Sequence, residues 1–200
     1  KGNLPMAFVT RMMEELSWKP GYIEIVRKVG KRFTEMDLWS LHCLRVVLGQ
    51  AGLLRKRDGC FRCSKKAIPL MKTENLGGLY ALLFRTWFQT FELSYRYRGL
   101  ECGDLQDTIA YSFVIAGRLA QDWKEIGILG PELVLPAVRE TIPSSPYCDL
   151  VENTARHYIL ESLREFGLIE FRGDTPGDKI HLYTHARVTP LYDKFFRFRG

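Results

Sequence analysis

The residues with the clearest chemistry are three arginines around a predicted turn. Asp58-Gly59 separates two short segments and is a strong signal for a β-hairpin with a two-residue turn. In the register that this turn sets, Arg55 lies opposite Arg62, and Arg57 shares their solvated face. Like charges on one face repel one another, so we expect an anion to compensate these arginines.

Further polar residues beside the hairpin extend this candidate site. Lys65 and Lys66 lie at the predicted start of the next helix, where cations are unfavourable to the helix dipole, which favours an anionic partner. Ser40 and Arg45, in the helix that precedes the hairpin, are further candidates for contacts with that partner. The pattern predicts a nucleic-acid-binding module, with double-stranded DNA as the expected ligand, that holds phosphates through its basic hairpin.

Metal and catalytic chemistry have less support in the sequence. Cys60 and Cys63 have the spacing of a zinc knuckle, but zinc normally needs four ligands, and the hairpin register sends the two thiols to opposite faces. His181 and His185 lie about 13 Å apart in an extended strand, at about 3.3 Å per residue, which is too far to share a metal. The sequence has no glycine-rich phosphate loop and no triad in a recognisable local context. It therefore predicts neither an enzyme nor a bound metal or cofactor.

The region around the hairpin has a counterpart near the C-terminus. Gly52 and Gly167, 115 residues apart, each follow a long amphipathic segment and precede two aliphatic residues. Each copy continues as a hairpin, and a further helix begins after it, at Ser64 in the first copy and at Thr189 in the second. The chain therefore contains an internal repeat of helix, glycine, aliphatic pair and hairpin.

This order of elements, with Gly-Leu-Leu after the helix and Ser-Lys-Lys-Ala after the hairpin, resembles the winged-helix superfamily of bacterial regulators. The resemblance covers about residues 5–72 and, more loosely, 147–198. It implies that the helix before each hairpin, or wing, reads DNA. The superfamily also includes winged helices that serve only as protein-interaction modules. The opening Lys1-Gly2-Asn3-Leu4-Pro5, with the wing after it, is similar to the C-terminal part of a group of uncharacterised bacterial proteins, a likeness that implies no activity.

Neither helix before a wing has the basic, polar surface of a strong major-groove reader. In the first copy Ser40, Arg45 and Gln50 lie beside Glu35 and Asp37, and in the second copy four acidic residues lie between positions 149 and 165. Phosphate contacts position a protein on a duplex, whereas base contacts specify a sequence. We therefore expect contacts with the backbone, and the sequence does not predict base-specific recognition.

Charge is segregated along the chain. Residues 1–32 carry a net charge of +4, residues 33–73 carry +5, residues 74–170 carry −6 and residues 171–200 carry +3. The two ends that bear the hairpins are thus basic, and the middle is acidic. Such a field attracts polyanions to some surfaces and repels them from others. The alternative is chance clustering on an ordinary surface.

Periodicity predicts a mainly α protein with two small β-hairpin wings, in which tandem winged-helix-like ends are joined by a helical middle. Seven or eight helices are expected, with strands only at 53–63 and 168–188, where the apolar period changes from about 3.6 to about 2. The predicted parts are an N-terminal winged-helix-like domain (1–73), a helical linker or core region (74–146) and a C-terminal winged-helix-like domain (147–200).

The helix before the first wing has a predicted beginning, end and buried side. Thr34 is a plausible N-cap, with Glu35 and Asp37 placed favourably in the first turn. Gly52 is expected to end the helix, because glycine tolerates positive φ. The residues predicted to face inward are Leu38, Leu41, Leu44, Leu48 and the flanking Val47. In the alternative register, Arg45 takes the place of Leu44.

The remaining expectations concern location and partners. A membrane helix needs an apolar run of about 18 residues, and the sequence has none of that length. Its five cysteines are scattered, which favours reduced thiols in a cytoplasmic protein over a disulfide framework. The chain opens with neither Met nor a signal peptide, so a preceding domain is expected. Two partner classes stay open. One is the phosphate backbone of a nucleic acid, and the other is a protein or upstream domain for which this chain is an interaction or scaffolding module.

Overall fold

The computed structural model of the chain describes residues 3–16, 22–30, 32–97, 103–174 and 183–197. The chain forms two compact units, Lys1–Phe91 and Glu92–Gly200, termed unit 1 and unit 2 below. Both are mainly helical, and each holds one small antiparallel sheet, so the prediction of a mainly α fold with small β elements is confirmed. The three-part division at residues 73 and 146 stays a prediction. Within the described ranges, no helix is both long and apolar enough to cross a bilayer.

Unit 1 is built from short helices around one hairpin. Its elements are α1 (Met6–Glu15), α2 (Tyr22–Val29), α3 (Trp39–Gln50), β1 (Leu54–Arg57), β2 (Cys60–Cys63), α4 (Ala67–Leu70), a 3-10 turn (Thr73–Asn75) and α5 (Leu76–Arg85), which continues as a π-helical segment (Thr86–Thr90). Val9 and Met13 of α1 form a buried cluster with Val26 of α2 and Leu41 of α3. The apolar faces of the three helices therefore pack on one another.

The helix before the first hairpin begins at Trp39, so the prediction that Thr34 caps it is wrong. Residues 34–37 form a separate turn instead. The Asp37 carboxylate accepts hydrogen bonds from the N–H and the hydroxyl of Thr34, at 2.7 and 2.8 Å. These bonds satisfy the Thr34 donors within the turn, and they hold the pKa of the Asp37 carboxyl below its ordinary value.

The buried side of α3 combines apolar residues with one arginine. Leu38, Leu41 and Val47 are buried. Leu44 is 40% exposed, whereas the Arg45 side chain is only 18% exposed. Of the two registers that the sequence allows, the structure therefore has the one in which Arg45 points inward.

The first wing, residues 54–63, has the predicted strand register. Arg55 pairs with Arg62 across the hairpin, and Arg57 pairs with Cys60. Asp58 and Gly59 have φ angles of 52° and 76°, and two consecutive positive φ angles are what a type I′ turn requires. The local turn chemistry therefore determines which side chains share the outer face of the wing.

Unit 2 has more helices and a three-stranded sheet. Its elements are α6 (Leu93–Tyr97), α7 (Gly103–Asp107), α8 (Ile109–Leu119), β3 (Lys124–Glu125), α9 (Ile126–Leu133), α10 (Pro136–Arg139), α11 (Leu150–Thr154), a π-helical segment (Ala155–Leu160), α12 (Glu161–Glu165), β4 (Ile169–Asp174), β5 (Tyr183–Val188) and α13 (Pro190–Phe195). We term residues 169–188 the second wing; its tip, with Lys179 and His181, lies outside the described residues.

Strand β3 lies outside the two segments in which strands were predicted, so that restriction is wrong. The sheet order is β3-β5-β4, and Lys124 pairs with Ala186 of β5. Close by, the Val188 N–H donates to the Ala120 carbonyl at 2.8 Å. A strand of two charged residues has no alternation to detect, so its pairing depends on backbone hydrogen bonds that the sequence pattern does not reveal.

The two long helices that precede the wings end in the same way. Gly52 and Gly167 have φ angles of 70° and 69°. In each copy, the N–H of the next residue donates to the carbonyl of the residue five positions earlier. Leu53 donates to Leu48 and Leu168 donates to Leu163, both at 2.9 Å. This is the Schellman arrangement, in which a glycine after the helix leaves the α conformation and satisfies the last carbonyls.

The positive φ of Gly52 predicts opposite effects for alanine at two nearby glycines. Gly52→Ala should lower the free energy of unfolding by about 1–2 kcal/mol, because an L-residue is strained in the left-handed region. Gly49→Ala, inside α3, should raise it by about 0.5–1 kcal/mol. An added Cβ meets no atom within 4 Å at either position, so packing does not contribute. Urea unfolding measures both changes, and effects of the same sign would contradict this account of the helix end.

Candidate nucleic-acid interface

The outer face of the first wing is basic and exposed. Arg55 and Arg62 are cross-strand neighbours, and both are exposed, as is Arg57. The Arg57 Nε lies 3.5 Å from the Asp58 carboxylate, but both side chains are at least 75% exposed, and such pairs contribute little. In the part of the chain that the structure describes, no carboxylate pairs with Arg55 or Arg62. The wing therefore presents uncompensated guanidinium groups to solvent.

The two lysines after the wing have different environments. Lys65 is exposed. The Lys66 ammonium donates a hydrogen bond to the carbonyl of Ala51, the C-cap residue of α3, at 3.1 Å. A cation at a helix C-terminus complements the helix dipole. Lys66 is exposed as well, but its hydrogen bond stabilises the junction between α3 and the wing, so Lys65 is the better candidate for a contact with a ligand.

Arg45 lies beneath the wing, not on its outer face. Its Nε donates to a Glu35 carboxylate oxygen at 2.5 Å, and its guanidinium carbon lies 5.2 Å from the centre of the Phe61 ring. Phe61 is on the inward face of β2 and is half-buried. Ser40, in the first turn of α3, is half-buried as well. The structure thus brings Arg55, Arg57 and Arg62 together and separates Arg45 from them.

Glu35 is the residue of this region that the sequence placed wrongly. It was expected in an exposed first turn, but its side chain is fully buried. Its carboxylate accepts from the Leu4 N–H at 2.6 Å and from Arg45, and it lies 2.7 Å from the His42 Nδ1. Burial alone would raise the pKa of the Glu35 carboxyl, but these partners hold that pKa below its ordinary value. Polar side chains at positions 35, 42 and 45 recur at helical spacing, and this spacing was the signal available in the sequence.

The two arginines in the described part of the second wing, Arg172 and Arg187, are engaged within unit 2. Arg187 forms a cross-strand ion pair with Glu170, at 2.5 and 2.9 Å. The guanidinium carbons of Arg172 and Arg187 lie 4.4 and 4.6 Å from the centre of the Trp123 ring. Stacking on an aromatic ring and pairing with a carboxylate both reduce the availability of a guanidinium to an external anion.

The helix that precedes the second wing also has engaged arginines. Arg156 donates to the Glu152 carboxylate and to the Tyr183 carbonyl, both at 2.8 Å. The Arg164 guanidinium carbon lies 5.2 and 5.3 Å from the ring centres of Phe171 and Tyr183. These contacts attach the helix to the wing. They make the surface of unit 2 less suited than the first wing to binding a polyanion.

The outward side of α3 has few groups that could read bases. Leu44 is 40% exposed, and Met36, in the turn before the helix, is 43% exposed. Gln50, at the C-terminal end, is exposed and carries an amide. Base edges are read mainly by arginine, lysine, asparagine and glutamine side chains. The observed face therefore agrees with backbone binding better than with sequence reading.

The thiols and carboxylates give no metal site among the described residues, in which no group of three or more potential ligands is close together. Cys60 and Cys63 are exposed free thiols, and Cys148 is another. Cys43 is buried. The spacing of Cys60 and Cys63 alone is insufficient for zinc, which needs four ligands.

Comparison with known proteins gives one family-level similarity. A family model described as the Y4jL N-terminal domain matches residues 1–76, from the N-terminus to the first residue of α5, and so includes the whole first wing. No curated protein and no solved structure matches the chain significantly. The resemblance to the winged-helix superfamily stays a prediction. Over most of unit 1 the chain is similar to the Y4jL N-terminal domain family, and residues 77–200 lie outside that match.

Proposed function

We propose that unit 1 binds the phosphate backbone of nucleic acid, with double-stranded DNA as the ligand. The observation that carries this proposal is the outer face of the first wing, where Arg55, Arg57 and Arg62 are exposed side by side. Arginine presents a planar fork of donors that matches phosphate oxygens. Exposed Lys65, two residues after the end of β2, adds a fourth cation.

The proposed binding does not depend on base sequence. The outward side of α3 exposes Leu44, and Arg45 is held beneath the wing, so the helix offers few donors to base edges. Backbone contacts are shared by all duplexes and account for sequence-independent affinity. The proposed role is that of a non-enzymatic binding module without a cofactor, and the exposed free thiols would agree with a cytoplasmic location.

We also propose that residues 1–73 and 147–200 are winged-helix-like domains in tandem, joined by a helical middle. In each unit a helix with a Schellman ending leads directly into a hairpin. In each copy, the residue after the hairpin donates its N–H to the carbonyl of the residue that follows the glycine. Ser64 donates to Leu53 at 2.8 Å, and Thr189 donates to Leu168 at 3.0 Å. These shared local hydrogen bonds support the same arrangement of helix and hairpin in the two copies.

A protein-interaction or scaffolding role is the second candidate. It is favoured by the exposed apolar residues Met36 and Leu44, eight positions apart near the helix that would otherwise face DNA. The internally paired arginines of unit 2 agree with it as well. This role predicts a tight protein complex and no duplex binding at low salt.

Fluorescence anisotropy with labelled duplexes of two unrelated sequences separates the candidates. At about 50 mM salt we expect binding to both duplexes, with dissociation constants within about threefold, because each base-specific contact would contribute about 1–3 kcal/mol of discrimination. A preference of 30-fold or more, on the order of 2 kcal/mol, would show base reading and contradict the sequence-independent mode. The absence of binding to either duplex would remove the nucleic-acid proposal.

A further inference from the structure

The first wing has few packing contacts of its own. Among the strand residues 54–57 and 60–63, only Leu54 and Phe61 are not exposed. The second wing differs, because β5 pairs on both sides and buries Ala186 and Val188. An isolated two-stranded hairpin is marginally stable in water. The orientation of the first wing therefore depends strongly on what Phe61 packs against.

A continuous set of contacts joins Phe61 to the interior of unit 1. The Arg45 guanidinium stacks on the ring, and its Nε donates to the buried Glu35 carboxylate at 2.5 Å. Glu35 in turn accepts from the Leu4 N–H and lies against His42, whose ring stacks on Trp39 at 4.8 Å. Arg45 therefore links the Phe61 ring of the wing to the buried Glu35 carboxylate.

We propose that Arg45 is a positioning residue, which orients the first wing so that Arg55 and Arg62 face the ligand, and that it makes no contact with phosphate. This inference rests on the proposed function and assigns Arg45 a different role from the one that the sequence predicted. Arg45 is suited to positioning because a planar guanidinium can stack on a ring while its Nε binds a carboxylate. Lysine has the charge but lacks that geometry.

Arg45→Lys and Phe61→Leu test the proposal with two independent readouts. Without ligand, hydrogen exchange of the wing amides should be about fivefold faster in both variants, because the hairpin is marginal without its packing contact. With duplex DNA, the apparent affinity should fall by the same factor as the population of the ordered wing, and therefore by less than about fivefold. Arg164→Lys, at the corresponding stack of unit 2, is the matched control and should change neither readout.

Salt dependence distinguishes a positioning residue from a phosphate contact. Arg45→Met should leave the slope of log affinity against log salt unchanged, whereas Arg55→Ala should reduce its magnitude by about 0.9. Unchanged wing exchange in Arg45→Lys, or a slope reduced by about 0.9 in Arg45→Met, would overturn the proposal. If the wild-type chain binds no duplex, the proposed function fails, and the exchange measurement still decides whether Arg45 holds the wing.

Discussion

Simultaneous replacement of Arg55, Arg57 and Arg62 by alanine is expected to weaken duplex binding severely while the fold stays intact. These side chains are three of the four proposed phosphate contacts, and Lys65 is the fourth. The magnitude of the slope of log affinity against log salt should therefore decrease from about 4 to about 1. Their shared face is exposed, and surface substitutions typically change stability by less than about 0.5 kcal/mol. Anisotropy measures the binding, and urea unfolding measures the stability.

The matched control replaces Arg172, Lys179 and Arg187 of the second wing. We expect a much smaller loss, because Arg172 and Arg187 stack on Trp123 and Arg187 pairs with Glu170. Equal losses from the two triple variants would mean that both wings engage the ligand. Full binding after substitution of the first wing would remove the main argument for nucleic acid.

Glu35→Gln is expected to cause the largest loss of stability among single substitutions near the wing. The change removes the charge from a fully buried carboxylate and leaves Arg45, with an 18% exposed side chain, without its ionic partner. Removing one member of a buried ion pair costs about 3–5 kcal/mol, and we expect a value near 3 because the amide oxygen of glutamine still accepts one hydrogen bond. Urea unfolding measures this loss. Asp37→Asn, in the exposed turn nearby, is the control and should cost about 1 kcal/mol or less.

The same variant should change the acid stability of unit 1. The pKa of the Glu35 carboxyl is lower in the folded chain than its ordinary value, so its contribution to the free energy of unfolding is complete above about pH 4.3. That contribution is lost as the pH falls through the lowered pKa. The wild type should therefore lose more stability than Glu35→Gln between about pH 5 and pH 2. Parallel stability profiles for the two proteins would contradict the assigned role of this carboxylate.

The parts of the fold that were predictable from sequence depend on local chemistry. Asp58-Gly59 imposes its turn type on the hairpin, and the turn alone determines that Arg55 opposes Arg62. Gly52 and Gly167 likewise end their helices through a backbone conformation that few other residues adopt. In both places, the local structure is determined by residues only a few positions away in the sequence.

The parts that were not predictable depend on tertiary contacts. Glu35 looked like an exposed residue of a helix start, and its burial follows from donors as distant as Leu4. Arg45 looked like a ligand contact because nothing in its neighbourhood of the sequence shows that Phe61 lies over it. Strand β3 forms because a strand more than 50 residues later supplies its partners. Helical and strand periods report local amphipathicity and carry no information about such pairs.

The most direct test of the account is a salt titration of duplex binding by the intact wild-type chain. Phosphate contacts release counterions from DNA, so the logarithm of the affinity falls linearly with the logarithm of the salt concentration. With Arg55, Arg57, Arg62 and Lys65 as the contacts, the account predicts a slope of about −4. An affinity that does not change with salt, or no binding at low salt, would contradict it.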